Sequence, residues 1–409
     1  MELLWAQLLT QSKNDQGMGM SEQPRSRRQT RAAILGHLLQ SGGVFRPPLA
    51  RAVRLSEASL SRILFDLKAE GLIEEVRRPA PYVGGPTGLV SLDGSVRLAA
   101  IELTARHLSL GVGGLSGELL YTERLPLPTS PSFESVDRLF HDALLLLQVW
   151  TRRRRVRLAQ IGISLPGLGR LSERASLIIP CDTRLVRGML DDIFPGVPAE
   201  FTNSVAAHGA FHLRHTEDYP FDGPHLFVFV GHGVAGAWME DLIDADALPP
   251  VELGHMVFGE DGPLCRCGHR GCVEAYTSLP ALAGLLGVGE PDLLRTGDDW
   301  VNAFPITARV RQELRRRLFR LGLAIGNTLN VKPCPAVSIS GWPSLLTEQD
   351  RKALVDGIDA CVMGGRELAQ VSVAFIPPSD GKDPHAALAF AACCLARRGG
   401  MPAASEEAA

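Results

Sequence analysis

The stretch Glu252–Glu274, ELGHMVFGEDGPLCRCGHRGCVE, combines two histidines, three cysteines and a carboxylate at each end within 23 residues. Three thiolates and one imidazole form a ligand set that suits tetrahedral zinc in a closed structural site. We therefore predict one structural zinc ion here, with the ligands His255, Cys265, Cys267 and Cys272. Two alternatives stay open: a glycine-rich loop with incidental thiols, and His269 as a ligand in place of His255.

The composition is typical of a globular protein from a reducing compartment. At 409 residues the chain is longer than one ordinary domain, so we expect two or three domains. Eight cysteines spread over this length do not form the dense framework of a small secreted module, which favours a cytoplasmic location. The apolar run at the N-terminus carries Glu2 where a signal peptide has basic residues. No apolar run reaches the length of a membrane span.

Charge is distributed unevenly along the chain, whose formal net charge is −3. Residues 21–90 contain 11 Lys and Arg against 6 Asp and Glu, so this part is basic and the remainder is acidic. A basic N-terminal module on an acidic body indicates an anionic partner for the small module alone.

Three short helices are predicted between Gln29 and Gly71. The first has an apolar stripe at helical spacing. The second begins at Pro47, because proline is tolerated in the first turn of a helix, and Ser56 caps the third. This order is typical of a helix-turn-helix, whose third helix enters the major groove of DNA. The predicted DNA contacts, chosen because they lie away from the apolar stripe or at its cap, are Ser56, Ser59 and Arg62.

Two strands, over 72–76 and 82–92, are predicted on either side of the basic tip Arg77–Pro79 and would form a wing. The module over 25–90 is thus predicted to be a winged helix-turn-helix that binds double-stranded DNA. A helical protein-interaction module of the same shape is the alternative.

Beyond the glycine-rich linker at 84–88 the pattern becomes α/β. Alternating apolar residues predict strands at 98–102, 108–112, 119–125, 160–164, 225–230, 235–239, 336–340 and 371–375. Two successive sets of strands and helices indicate two related α/β lobes with a cleft between them. The run of arginines over 152–157 ends a long amphipathic helix, and we interpret it as a solvated helix end because cations are favourable there.

These patterns divide the chain into five parts. The predicted parts are a disordered extension over 1–24, the winged helix over 25–90, a first lobe over 91–213 plus 384–398, a second lobe with the zinc loop over 214–383, and a disordered tail over 399–409.

The chain resembles the ROK family, whose name stands for repressors, open reading frames and sugar kinases. The resemblance runs from about Gln29 to Arg398 and is most specific in the stretch quoted first, where the family has a zinc-ligating histidine, then Cys-x-Cys-Gly and Gly-Cys-x-Glu. The matching residues are Glu252, Gly254, His255, Cys265, Cys267, Gly268, Gly271, Cys272 and Glu274. The resemblance implies a two-lobed actin-like sugar-kinase fold, and the winged helix marks the branch that is similar to xylose and N-acetylglucosamine repressors.

The same resemblance implies a carbohydrate site in the cleft. Carried over residue by residue, the effector-binding side chains are Asn203, Glu252, His255 and Glu274. His255 would then bind zinc through one ring nitrogen and the sugar through the other. The alternative for the two glutamates is solvation in a loop or support of the zinc ligands.

The chain departs from the family kinases at the positions that carry catalysis. The kinases place an aspartate general base after the asparagine, and this chain has Ser204, whose hydroxyl is no base near neutral pH without a partner. The first phosphate loop corresponds to residues 102–106, ELTAR, which lack the glycines that let a backbone approach phosphate. Two later loops depart at His232, Ala235 and Trp342, and the linker has Gly84, Gly85 and Pro86 where many family repressors have Gly-Arg-Pro.

These observations predict a sugar-responsive transcriptional regulator, a repressor, that is not an enzyme. We expect it to bind operator DNA as a homodimer or homotetramer and to sense a carbohydrate or sugar phosphate. Two alternatives remain: a sugar kinase with an N-terminal extension, and a DNA-binding protein whose body only dimerises.

Overall fold

The structure is a computed structural model that describes residues 26–79, 87–128, 130–167, 174–175, 179–216, 219–221, 223–239, 250–296, 299–378 and 384–400. The predicted extension at 1–24, most of the tail at 399–409 and the linker residues Gly84, Gly85 and Pro86 lie outside the described residues.

The N-terminal module consists of three helices and a small antiparallel sheet. Its elements are α1 (Arg27–Ser41), β1 (Gly43–Phe45), α2 (Arg46–Ala52), α3 (Glu57–Ala69), β2 (Ile73–Arg78) and β3 (Thr87–Leu92). The sheet order is β1-β3-β2. Ser26 caps α1 in a capping box with Gln29, and Ser56 caps α3 through the backbone N–H of Ser59, as its sequence predicts. Strand β1 was not predicted, because three residues are too few to show an alternating pattern.

The first α/β lobe is built on a five-stranded sheet in the order β10-β7-β4-β5-β6. Its elements are β4 (Arg97–Leu103), β5 (His107–Gly114), β6 (Leu119–Pro126), α4 (Phe133–Arg154), β7 (Leu158–Leu165), β8 (Arg174–Ala175), β9 (Cys181–Asp182), α5 (Thr183–Ile193) and β10 (Ala199–Asn203). Strands β4, β7 and β10 are parallel, so their carboxyl ends share one edge of the sheet.

The second lobe has a sheet in the order β13-β12-β11-β14-β15. Its strands are β11 (His225–Val230), β12 (Val234–Met239), β13 (Pro250–Val251), β14 (Ala336–Gly341) and β15 (Ser372–Phe375). Its helices are α7 (Glu274–Thr277), α8 (Leu279–Leu286), α9 (Glu290–Thr296), α10 (Trp300–Ala303), α11 (Ala308–Val331), α12 (Glu348–Cys361) and α13 (Gly365–Leu368), with 3₁₀ turns at Leu253–His255 and Trp342–Leu345. Each predicted strand of both lobes is present, and its ends lie within two residues of the predicted ones.

Two helices join the lobes: α6 (Ser204–His215) and α14 (His385–Arg397). Helix α6 follows β10 of the first lobe and packs on the second sheet, where the His208 ring stacks on Phe229 with centroids 5.2 Å apart. Helix α14 packs on α6 and on strands β4 and β7. It is apolar on all sides, and every residue from Ala386 to Ala396 is buried, as expected for a helix inside a core. In the described part of the chain, none of the helices combines the length and apolarity that a membrane span requires.

Candidate metal centre, ligand cleft and exposed helix

The loop between β13 and α7 folds into a compact hairpin. Its two sides pair at Val257 with Cys272 and at Leu264 with Arg270. The N–H of Cys265 donates to the carbonyl oxygen of His269 at 2.8 Å. This tight turn brings the thiols of Cys265 and Cys267 near each other. The backbone of Gly271 has φ +75°, and a Cβ there would collide with the carbonyl oxygen of Gly259, so this position requires glycine.

The hairpin and the preceding 3₁₀ turn bring four potential ligand atoms together. The side chains of His255, Cys265, Cys267 and Cys272 offer one nitrogen and three sulfurs that all lie within 4.8 Å of one another. The His255 Nδ1 lies 3.7 Å from the Cys265 Sγ, and the Sγ atoms of Cys267 and Cys272 are 3.6 Å apart. Ligands about 2.3 Å from a tetrahedral zinc ion would be separated by about 3.7 Å. The cluster is therefore able to hold a metal ion.

His269, the rival candidate, lies beside the cluster. Its Nδ1 is 3.5 Å from the Cys267 Sγ, and its side chain is exposed. The four-residue cluster contains His255 and not His269. Burial, followed by smaller effects of the neighbouring Cys267 and Cys265 thiols, raises the pKa of the Cys272 thiol to about 12. A bound cation would offset this effect, and metal binding would release the thiol proton.

The two glutamates that flank the loop have different surroundings. Glu274 is buried, and its Oε2 accepts a hydrogen bond from the N–H of Val234 at 2.9 Å while its Oε1 lies 3.9 Å from the Cys265 Sγ. It therefore ties the start of β12 to the metal cluster. Glu252 is exposed, and its Oε2 lies 3.9 Å from the Nε2 of His255. The ring of His255 thus presents Nδ1 to the cysteines and Nε2 to Glu252.

Asn203 and Ser204 lie at the carboxyl edge of the first sheet. Asn203 is buried and caps α6, because its Oδ1 accepts a hydrogen bond from the N–H of Val205 at 3.0 Å. The hydroxyl of Ser164 donates to that of Ser204 at 3.2 Å. Asn203 thus lies in the first lobe, whereas Glu252, His255 and Glu274 belong to the second.

A buried contact between a carboxylate and an imidazole lies at the same edge and was not predicted from the sequence. Glu102, at the end of β4, is 2% exposed, and its Oε1 lies 3.3 Å from the Nε2 of His208 on α6. Its Oε2 is buried and has no hydrogen-bond partner among the described residues. The partners are more than 100 residues apart, so no local sequence signal could have found them. One oxygen of the Glu102 carboxylate therefore contacts a histidine of the helix that joins the lobes.

Helix α3 presents one face to solvent. The hydroxyls of Ser56 and Ser59 are hydrogen-bonded to each other at 3.0 Å at the start of the helix, and Arg62 is exposed. Phe65, one turn after Arg62, is 74% exposed. A large apolar side chain in that position was not among the predicted contacts. Arg62 and Phe65 together form an exposed strip along the helix with one charged and one aromatic side chain.

Comparison with known proteins adds to this geometry. Residues 225–370, which include the metal cluster, match the model of the ROK family. The chain carries a ROK family domain. The matched segment covers the second lobe from β11 through α13.

The chain is also similar to named regulators. It is 25% identical over 285 residues to the DNA-binding transcriptional repressor Mlc of Escherichia coli, across 63% of this chain and 65% of that protein. The chain thus spans a little under two thirds of the length of Mlc. It is 21% identical over 321 residues to the xylose repressor of Caldicellulosiruptor bescii, across 73% of this chain and 79% of that protein.

Solved structures show the same fold. A ROK family transcriptional regulator described as a homologue of the Escherichia coli Mlc protein superposes with a TM-score of 0.66 at 17% identity, over 91% of this chain and 97% of that one. A ROK hexokinase from Thermus thermophilus superposes with a TM-score of 0.53 at 18% identity, over 73% of this chain and 98% of that one. The α/β body therefore has the ROK sugar-kinase-like fold.

Proposed function

We propose that this ROK protein is a sugar-responsive, DNA-binding transcriptional regulator that acts as a repressor, with a carbohydrate-sensing body that does not phosphorylate its ligand. The observation that carries the proposal is the joining of an N-terminal three-helix module, whose α3 has an exposed face, to a ROK body that retains the metal cluster. The named repressors among its relatives support the same function.

The N-terminal module supports DNA binding as a winged helix-turn-helix. Helices α2 and α3 are separated by a four-residue turn, and strands β2 and β3 form the hairpin of a wing that carries Arg77 and Arg78. In this proposal α3 is the recognition helix, and two copies in a homodimer would read two half-sites. The proposed contacts are Ser56, Ser59 and Arg62, with Phe65 added by its exposure.

The body supports sensing without catalysis. Ser204 occupies the position of the kinase base, and its hydroxyl accepts a hydrogen bond from the hydroxyl of Ser164. Glu102 is paired with His208, so it is not available to a nucleotide-bound metal ion. We propose that Asn203, Glu252 and His255 contact the effector. A contact between Glu274 and the effector would be less direct, because both of its carboxylate oxygens already have protein partners.

We propose zinc as the metal of the cluster. Three sulfurs and one nitrogen are soft ligands that favour zinc over magnesium or calcium. His255, Cys265, Cys267 and Cys272 would hold the ion. The ion would stabilise the fold of the loop and would not act on a substrate, because four protein ligands leave no open coordination position.

Operator binding is the decisive test of the proposed function. Duplexes selected from a random pool by the wild-type protein should bind with an affinity that falls steeply as salt rises, because Lys and Arg displace counterions from phosphate. Arg62→Ala should weaken that binding about tenfold or more. Arg138→Ala, which removes an exposed arginine from α4, is the matched control and should bind as the wild type does. Failure to select any duplex, or binding that ignores salt, would refute DNA recognition.

A kinase assay tests the second candidate function, for which the likeness to the hexokinase fold is the motivating observation. We expect no ATP turnover with a panel of hexoses in a coupled assay, because a serine hydroxyl hydrogen-bonded to the Ser164 hydroxyl is a poor general base near neutral pH. An active sugar kinase serves as the positive control. Turnover with any hexose would establish the kinase alternative.

A further inference from the structure

One buried arginine joins three elements that are far apart in the sequence. Arg31 lies on α1 and is 2% exposed. Its Nε donates to the carbonyl oxygen of Gly399 at 2.7 Å, just beyond the end of α14. Its Nη1 donates to the Oε1 of Glu70 at 2.8 Å, and its Nη2 pairs with the other oxygen of the same carboxylate. We call Arg31, Glu70 and Gly399 the junction.

The hydrogen bonds of Arg31 hold the junction in a fixed geometry. A guanidinium that meets a carboxylate through two parallel hydrogen bonds is held in orientation as well as in distance. Glu70 is the residue that ends α3, so the carboxylate lies at the carboxyl end of the proposed recognition helix. The direction of α3 is thereby tied to α1 and to the end of α14.

The apolar core beneath the junction is continuous between the module and the body. Leu35 and Leu72 of the module belong to the same buried cluster as Leu395 and Ala396 of α14. Gly399 has φ +68°, and a Cβ on it would lie 3.1 Å from both the Arg28 carbonyl oxygen and the Arg31 Cβ. Glycine therefore lets the end of α14 approach α1 closely.

The opposite face of α14 packs on α6, whose first residue follows Asn203. The side chains of Ala207 on α6 and of Phe390 and Cys394 on α14 form one buried cluster. A continuous set of packed helices thus runs from the carboxyl edge of the first sheet through α6 and α14 to α1. The junction is the point at which this set reaches α3.

We propose that Arg31 is a positioning residue that holds the recognition helix in a fixed direction relative to the ROK body, acting through Glu70 and the end of α14. The geometric part of this inference is independent of DNA, whereas its consequence for operator binding rests on the proposed function.

The chain offers a matched control one turn away. Arg27 on α1 pairs with Asp66 on α3, so this ion pair also joins the same two helices. The Arg27 side chain is 70% exposed, and its ion pair with Asp66 stays within the module. Arg27→Gln therefore removes an α1–α3 ion pair without touching α14.

The first experiment measures the distance between α3 and the second lobe in the whole protein. Genetically encoded azide-bearing residues replace Phe65 and Leu368, which are both highly exposed, and the dyes attached to them leave the native cysteines untouched. Single-molecule energy transfer should give one narrow distance distribution for the labelled parent and for Arg27→Gln. Arg31→Gln should broaden or shift it, and Arg31→Lys should restore it in part.

The result that would overturn the inference is an unchanged distribution for Arg31→Gln, or equal broadening by Arg27→Gln. Circular dichroism and thermal unfolding establish that each variant is folded. If Arg31→Gln does not fold, Glu70→Gln takes its place, because the Glu70 side chain is 42% exposed and the change keeps its shape. An unchanged distance distribution for Glu70→Gln, or equal broadening by Arg27→Gln, would then overturn the inference.

The second experiment uses a duplex selected by the wild-type protein. Arg31→Gln should bind it about tenfold more weakly, as expected if the correct direction of α3 is populated about a tenth of the time. The slope of affinity against salt should not change, because no phosphate contact is lost. A reduced slope would contradict a positioning role. If no duplex can be selected, the proposed function fails, and the distance measurement still decides whether Arg31 positions α3.

Discussion

Cys272→Ser should abolish stoichiometric metal binding and lower the free energy of unfolding by more than about 3 kcal/mol. Cys272 is 0% exposed and pairs with Val257 at the open end of the hairpin, with its sulfur 3.6 Å from that of Cys267. The expected metal content of the wild type is about one zinc per chain, measured by elemental analysis of protein purified without chelator. Chemical denaturation gives the change in stability.

Cys361→Ser is the control for this variant. The Cys361 thiol is half-buried on α12 and donates to the Asn327 Oδ1 at 3.0 Å, away from the cluster. The control should keep its zinc and lose little stability. A chelator should destabilise the wild type and the control but leave Cys272→Ser unaffected. Full zinc content in Cys272→Ser would show that the cluster is not the metal site.

Acidification should destabilise the interface between the lobes through His212. This residue of α6 is 2% exposed, its Nδ1 contacts the Thr216 hydroxyl at 3.0 Å and its Nε2 lies 3.4 Å from the Ser340 Oγ of β14. Burial, with a smaller contribution from His208, lowers its pKa to about 3. Burial also lowers the pKa of His225 on β11.

The sign of the effect follows from these shifts. A histidine with a depressed pKa is neutral in the folded state, while the unfolded chain takes up a proton below about pH 6.5. Stability from His212 is therefore complete above that pH and is lost as the pH falls from about 6.5 toward 3. At pH 5 the loss is about 2 kcal/mol for this residue. His225 acts in the same direction.

Denaturation curves at pH 7.5 and pH 5 measure this loss. His212→Gln keeps a polar side chain and should reduce the difference in stability between the two pH values by about 2 kcal/mol. His141→Gln, at an exposed position of α4, should leave the difference unchanged. Comparing variants removes the contribution of acid-induced metal loss, which all of them share. Equal pH dependence of the wild type and His212→Gln would contradict a buried neutral imidazole.

Local sequence patterns predicted most helices and strands, but they did not predict which distant side chains contact each other. Ser56 was predicted as a cap because capping involves neighbours three residues away, and it caps α3. The alternation of apolar residues predicted eight of the ten strands in the two large sheets, because burial on a sheet repeats every two residues, but it did not predict β10 or β13. The pairing of Glu102 with His208 was not predicted, because sequence spacing carries no information about contacts between distant segments.

Glu274 illustrates the limit of a resemblance. It was predicted as an effector ligand, with support of the zinc ligands as the alternative. The hydrogen bond from the N–H of Val234 and the contact with the Cys265 thiol place both of its oxygens against protein groups, an arrangement that fits the alternative, while the effector role stays a prediction. The type of residue was visible in the sequence, but the direction of its side chain depends on how β12 packs against the loop.

The sequence by itself determined the composition of the metal cluster and the absence of the phosphate-loop glycines, because both follow from residue types at short spacing. It also indicated two lobes behind a basic helical module. Only the tertiary structure decided that α14, near the end of the chain, packs between α6 and α1 and meets Arg31. Arg31 and Gly399 are 368 residues apart, and a contact over that separation is created by the packing of whole helices and not by any local preference of the chain.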